Sequence, residues 1–233
     1  MSIVLVIIGL VIGGVIVGKD LIHNSRLNSI ISDVNQYKAA VNAYQMKYDW
    51  LPGDHPTAYD AFDGSGGSAV CGTNAYAPPA GCNGNGNSQI DWGSSERFRT
   101  WQHLTLSEIL KGSYSGTSMH SSLTVHELGT NTPPSLMKGA GYQIRYNISW
   151  DDRGHVIEFG ALADNGAGTI ALNGPILTTA EAKMIDTKYD NGHAGLGRLH
   201  GRNGANITGC TGNTRDYVLS NSGARCYLLF FID

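Results

Sequence analysis

No charged side chain occurs between Met1 and Gly18 (MSIVLVIIGLVIGGVIVG). A helix with no polar face has nothing to offer water, so a solvated surface helix is excluded for this stretch. Basic residues ahead of the apolar run are also lacking, as is a small-residue cleavage site after it, so a cleaved secretory signal fits poorly. Runs of one charge sign are missing throughout. Lys and Arg number 16 against 19 Asp and Glu, for a net charge of −3. Nucleic acid is therefore not an expected partner beyond weak contact by a few loops. The four cysteines contain no CxxC spacing, which argues against a zinc ribbon. HExxH, G-x-S-x-G and P-loop motifs are all absent, and the eight histidines are scattered without a ligand pair on one helix face. Asp151 and Asp152 are adjacent, which makes their side chains diverge in a turn and spoils paired acid–base work. No enzyme is expected.

What is present begins with helix. Met1–Gly18 falls just short of the ~20 apolar residues that span a bilayer. The helical phase then continues past Lys19 and Asp20. Leu27, Ile30, Ile31, Val34, Tyr37, Val41, Tyr44, Tyr48 and Leu51 follow one another in steps of mostly three and four, an amphipathic stripe. Pro52-Gly53-Asp54 ends it. A helix over about 2–50 is roughly 70 Å long at 1.5 Å per residue. A single-domain core does not bury that length, so its first half must protrude. The chain divides accordingly into an apolar half-helix at 1–18, an amphipathic half-helix at 19–51 and one soluble domain at 52–233.

Ile3, Val4, Ile7, Ile8, Val11, Ile12, Val15 and Ile16 make up the greasy surface of the first half. Gly9 and Gly13 are four apart, as are Gly14 and Gly18. This small-xxx-small spacing admits close helix approach in an apolar medium, although glycine is also simply frequent in membrane helices. Each interior glycine costs ~1 kcal/mol of helix propensity, so Gly13-Gly14 is the expected place for a kink.

The remaining chain holds most of the 31 glycines and reads as loop-rich. Residues 64–93 form an expected surface loop. A helix is expected from an N-cap at Ser94 or Ser95 to about Lys111, burying Phe98, Trp101, Leu104 and Ile109. Tyr142–Trp150 and His155–Ala163 read as strands around the turn Asp151–Gly154. Thr178 and Glu181 fit a capping box for a helix ending near Asp190, with Gly192 just past it. Tyr227–Ile232 (YLLFFI) reads as a buried final strand. The sum is an α+β domain, a long helix packed on a small antiparallel sheet with helical and glycine-rich loop insertions.

The segment Ser2–Gly9 (SIVLVIIG), with Tyr48–Asp54 (YDWLPGD), Trp101–Tyr114 (WQHLTLSEILKGSY) and Leu177–Gly192 (LTTAEAKMIDTKYDNG), resembles the type IV pilins and type II secretion pseudopilins, in particular a long-chain bacterial subgroup. The resemblance runs through most of the chain and is strongest at residues 2–54. It implies the pilin fold and a subunit stored in the inner membrane. An assembly platform and a motor protein would polymerise it into an extracellular or periplasm-spanning filament, cored by a bundle of N-terminal helices. A pseudopilin of a secretion system and a single-helix membrane tether for a binding module are the alternatives. The large domain and long loops suit a surface-exposed, adhesive subunit. One departure is large. The family's basic leader, its glycine at the cleavage point, its methylated aromatic first residue and its early glutamate have no counterpart here. Met1 stands where the family usually has leucine, so the expectation is a true start upstream.

Export, as the resemblance implies it, places Cys71, Cys82, Cys210 and Cys226 in an oxidising compartment. Bonds Cys71–Cys82 and Cys210–Cys226 are expected, although spacing alone does not decide the connectivity. No cofactor is expected. Calcium is a weak candidate at Asn83, Asn85, Asn87 and Asp91, an alternation faintly like a calcium loop but with low ligand charge and Ser88 where glycine belongs. An Asn-Gly turn is the simpler reading. Asp186 and Asp190 share a helix face and read as a solvated helix end. His193 and His200 flank a glycine-rich turn with Arg198 and Arg202, a short basic cluster that offers little to an anion.

Overall fold

The computed structural model describes residues 2–63, 83–92, 95–118, 125–149, 152–166, 169–212 and 215–232. Its first element, α1 (Ser2–Tyr48), is one unbroken α-helix. The expected kink at Gly13-Gly14 is not found. Nothing lies within 4 Å of the Cβ positions of Gly9, Gly13, Gly14 or Gly18, so no neighbouring group competes for the helical hydrogen bonds, and helix cooperativity carries the ladder through. The helix stops where Asp49 turns to a left-handed φ of 59° and its N–H closes on the Gln45 carbonyl at 2.8 Å.

The other elements are α2 (Ala58–Asp63), α3 (Glu96–Leu106), β1 (Ala140–Ser149), β2 (Asp152–Asp164), β3 (Ile170–Gly174), α4 (Thr179–Tyr189), β4 (Leu199–Asn203) and β5 (Cys226–Phe231). The sheet runs β1-β2-β5-β4, with β3 beside the far half of β2, and every pairing is antiparallel. Strand β2 is the spine. Val156–Phe159 pairs with β1 on one side and β5 on the other, and Ala161–Asp164 pairs with β3. The α+β architecture expected from the sequence is thus present as a long helix on a small antiparallel sheet.

The second half of α1 lies on this sheet. Leu27, Ile30, Val34, Val41 and Tyr44 are all buried. Tyr37 sits between Trp101 and Tyr142, with ring centroids 4.9 and 5.1 Å away. The stripe of three and four steps is therefore the packing face, and burying each large apolar side chain contributes ~1.5–3 kcal/mol.

Several expected boundaries move. Ser149 pairs with Asp152, so Asp152, Arg153 and Gly154 belong to the strand rather than to a tetrad turn. Helix α3 ends at Leu106, not near Lys111. Glu108 takes a left-handed φ of 62°, and the Leu110 N–H returns to the Leu104 carbonyl. This reversal carries Leu110 into the core beside α1. Ser95 holds the N-cap position without a side-chain cap bond. Every residue from Glu96 to Leu104 is buried, the polar ones included, because chain packs on both sides of α3. The Arg97 guanidinium lies 4.9 Å from the Trp92 ring, and Arg99 Nη1 donates to the Asn83 carbonyl.

Candidate functional site

Among the described residues, the first half of α1 carries the largest run of exposed apolar side chains. Val4, Ile7, Ile8, Val11, Ile12, Val15 and Ile16 are all exposed, from 48 % at Ile8 to 61 % at Val4, and Leu10 reaches 71 %. The backbone of Ile3 belongs to the same helix. The strip does not stop at Gly18, because Leu21 and Ile22 extend it on the exposed side. By length and composition α1 is long and apolar enough to cross a membrane. The four glycines lie within this strip, and their open Cβ positions leave room for a closely approaching surface.

Burial begins at Leu27, and polar ties fasten α1 there. His23 Nε2 donates to Glu181 Oε1 at 2.5 Å. Lys188 Nζ donates to Asn28 Oδ1 at 2.9 Å. The Tyr142 hydroxyl donates to Asp33 Oδ2 at 2.8 Å, yet burial still pushes the Asp33 carboxyl above its ordinary range. Three of these partners sit on α4 or β1, so helix, helix and sheet are locked together at the base of the head. None of the ties is visible in the sequence, where the partners stand more than 100 positions apart.

The calcium candidates are hydrogen-bonded within the head. Asn83 Oδ1 accepts the Tyr59 N–H. Asn85 Oδ1 accepts the Asn87 N–H, and Asn87 Oδ1 accepts the Gln89 N–H. Asn85 and Asn87 turn their amide nitrogens to Asp91 Oδ2 at 2.8 and 3.1 Å. Asn85, Asn87 and Asp91 thus come together while Asn83 does not, and the Asn85 and Asn87 oxygens each close a local backbone turn. Among the described residues no group of three or more His, Cys, Asp or Glu is placed to hold a metal. The loop instead wraps a carboxylate. Asp54 Oδ1 accepts from Gly86 and Asn87, and Oδ2 from Ser88, at 2.7–3.1 Å. Glu96 accepts the N–H groups of Asn85 and Asp91, both at 2.9 Å. Burial raises both carboxyls despite these bonds.

Gly53 makes the turn into this cradle. Its φ is 93°, and a Cβ there would meet the Glu96 carbonyl and Thr100 Oγ1 at 2.5 Å. Its N–H donates to His103 Nδ1 at 2.8 Å, which holds that nitrogen as an acceptor. His55 is also buried, with Nδ1 2.8 Å from the Tyr44 hydroxyl, and desolvation lowers its pKa.

The acidic pair at the end of α4 is split: Asp190 stays half-buried at the surface, but Asp186 does not. Asp186 is fully buried. Its oxygens accept the Gly192 N–H and the Tyr217 hydroxyl, both at 2.9 Å. Asp190 Oδ2 accepts the Arg198 and Leu199 N–H groups. The reason is tertiary: the chain after α4 folds back over the helix end, and the carboxylates satisfy its backbone. His200 is buried in β4, whereas His193 is exposed and pairs with Asp216 at 2.9 Å. Cys210 and Cys226 form a disulfide, while Cys71 and Cys82 lie outside the described residues. The capping box at Thr178 and Glu181 is present as expected. No family model matches this chain, and neither a curated protein nor a solved structure matches it.

Proposed function

We propose that this chain is a structural subunit of a type IV pilus-like filament, stored in the inner membrane and polymerised through α1. The observation that carries the reading is the division of one continuous helix. Its second half is buried on the sheet, whereas its first half exposes an apolar surface that no described residue outside the helix covers. Such a surface is stable in lipid or against copies of itself. Copies related by one screw operation bury each apolar half on its neighbours, and a non-closing heterologous contact propagates as a fibre. Lipid and filament core are both apolar, so transfer between them costs little, and an assembly motor supplies the work of extraction. The glycines at 9, 13, 14 and 18 let neighbouring helices approach closely. The long loops suit a surface-exposed, adhesive member, and a secretion pseudopilin is the variant of the same reading. A simple membrane tether is disfavoured because its helix need not run on as a packed stripe to Tyr48.

Replacing Ile8 or Ile12 with Asp tests the reading. Membrane insertion is retained at a cost of about 2.5–3.5 kcal/mol per charge, whereas filaments of the variant are absent. A cysteine at Ile12 should give a cross-linked ladder in cells. Normal filaments from Ile8→Asp, or monomer alone from Ile12→Cys, would overturn it.

A further inference from the structure

A cavity of about 400 Å³ opens where α1 ends. It lies ~36 Å along the helix from Gly18, counting Asn42 as its nearer edge at 1.5 Å per residue. It is therefore separate from the apolar half of α1, and the inference below does not depend on the filament reading. Asn42, Gln45 and Asp49 line one wall. Asn42 and Gln45 stand three residues apart on α1 and share one face, and Asp49 follows at the left-handed turn that ends the helix. All three are exposed, and among the described residues none of their side chains has a hydrogen-bonding partner. Trp50 adds a half-buried indole that stacks on His55 with centroids 6.2 Å apart. Leu51, Ile90 and Ile232 supply apolar floor.

The electrostatics select the ligand class. No Lys or Arg lines the cavity, so nothing balances an anion. The buried Asp54 carboxylate in the lining is already engaged by three backbone N–H groups. His155 Nε2 accepts the Ile90 N–H at 3.3 Å, which occupies that nitrogen. Asp49 is exposed, and among the described residues its carboxylate accepts no side-chain hydrogen bond, so it can accept from a ligand while water screens its charge. A pair of carboxamides, each both donor and acceptor, beside a lone acceptor and an indole, matches a ligand with adjacent hydroxyls on one edge and a C–H face on the other. The cavity is at the small end of ligand pockets. We propose that it binds a terminal ring of a neutral saccharide, with the C–H face on Trp50 and vicinal hydroxyls on Asn42, Gln45 and Asp49.

The test uses the full chain as monomer in a polyoxyethylene detergent, which carries no sugar headgroup. Saturation-transfer NMR is recorded with lactose, maltose and α-mannobiose, and with glucose 6-phosphate and choline as charged controls. Transfer to at least one neutral disaccharide is expected. It should weaken about tenfold in the exposed double variant Asn42→Ala/Gln45→Ala, which removes two hydrogen-bonding amides. Trp50→Phe should retain binding and Trp50→Ala should lose it. No transfer to any of the three disaccharides overturns the proposal. So does transfer only to a charged control, or binding unchanged in the double variant. Because the measurement is made on unassembled protein, it reads the same whether or not filaments form.

Discussion

His23 and Glu181 meet at 2.5 Å across 158 positions of sequence, at the level where α1 leaves the head. The second Glu181 oxygen accepts both the N–H and the hydroxyl of Thr178 at 2.8 Å, closing the capping box of α4. One carboxylate therefore caps one helix and ties down another. The tie sits four residues before burial of α1 begins at Leu27, so it marks the boundary between the free and packed halves.

The two partners should differ in cost. His23→Ala removes a half-exposed pair and should destabilise by about 0.5 kcal/mol or less, because solvent screens it. Glu181→Ala also opens the capping box and should cost about 1–2 kcal/mol. Urea unfolding of the detergent-solubilised chain, followed by tyrosine and tryptophan fluorescence, reads the difference. Equal effects would mean the carboxylate does not serve both helices.

Acid should destabilise the head. His126 is buried against Phe98, and desolvation, reinforced by the Arg97 charge, lowers its pKa from 6.5 to about 3. The unfolded chain then binds the proton that the folded chain refuses. Stability is present above pH 6.5 and is lost as pH falls, by roughly 1.4 kcal/mol per unit for this group. His55, lowered by burial, acts in the same direction. Asp33, Asp54, Glu96 and Asp186 are raised by burial. Protonation of these carboxyls therefore favours the folded state and offsets the loss near and just above the ordinary carboxylate range. Urea midpoints should fall between pH 7.5 and 5.5 and flatten below. A flat profile from 7.5 to 5.5 would refute the histidine account, and His126→Gln should reduce the slope.

Gly53→Ala should cost about 2 kcal/mol or more, since a left-handed backbone and a 2.5 Å approach to the Glu96 carbonyl act together. Gly129 has a φ of 86° but nothing within 4 Å of its Cβ, so Gly129→Ala should cost about 1 kcal/mol. Thermal midpoints of the two variants separate steric contact from backbone strain.

Removing the Cys210–Cys226 bond frees a loop of sequence separation 16. Cys210→Ser/Cys226→Ser should lower stability by about 3 kcal/mol, as loop closure predicts. The double variant is preferable to reductant because it leaves Cys71 and Cys82 untouched. Proteolysis within 211–225 should accelerate in parallel.

Much of the fold was legible where the signal is local. The three and four steps from Leu27 to Tyr44 give the buried face of α1, Thr178 and Glu181 give the start of α4, and YLLFFI gives β5. Strand β4 was missed because LHGRN has neither alternation nor β-branched residues. Its strand character comes from pairing with β5. The sequence pattern extends α3 too far because Ile109 and Leu110 continue its apolar run. Only the packing against α1 reveals that Glu108 reverses the chain to deliver them.

The sequence by itself determined the long helix, its apolar and amphipathic halves, and its stop at Asp49 to Gly53. Side-chain period, proline and glycine are properties of neighbouring residues, so they act before any tertiary contact forms. Only the tertiary structure decided what the polar residues do. Asp54 and Glu96 became anchors for the asparagine loop, Asp186 became a buried acceptor, and Glu181 became the partner of His23. For Asp54, Asp186 and Glu181 the donor comes from a distant part of the chain, and for Glu96 from the loop that folds back before α3. A buried carboxylate must find one, because leaving it unpaired costs more than the contacts that bury it return.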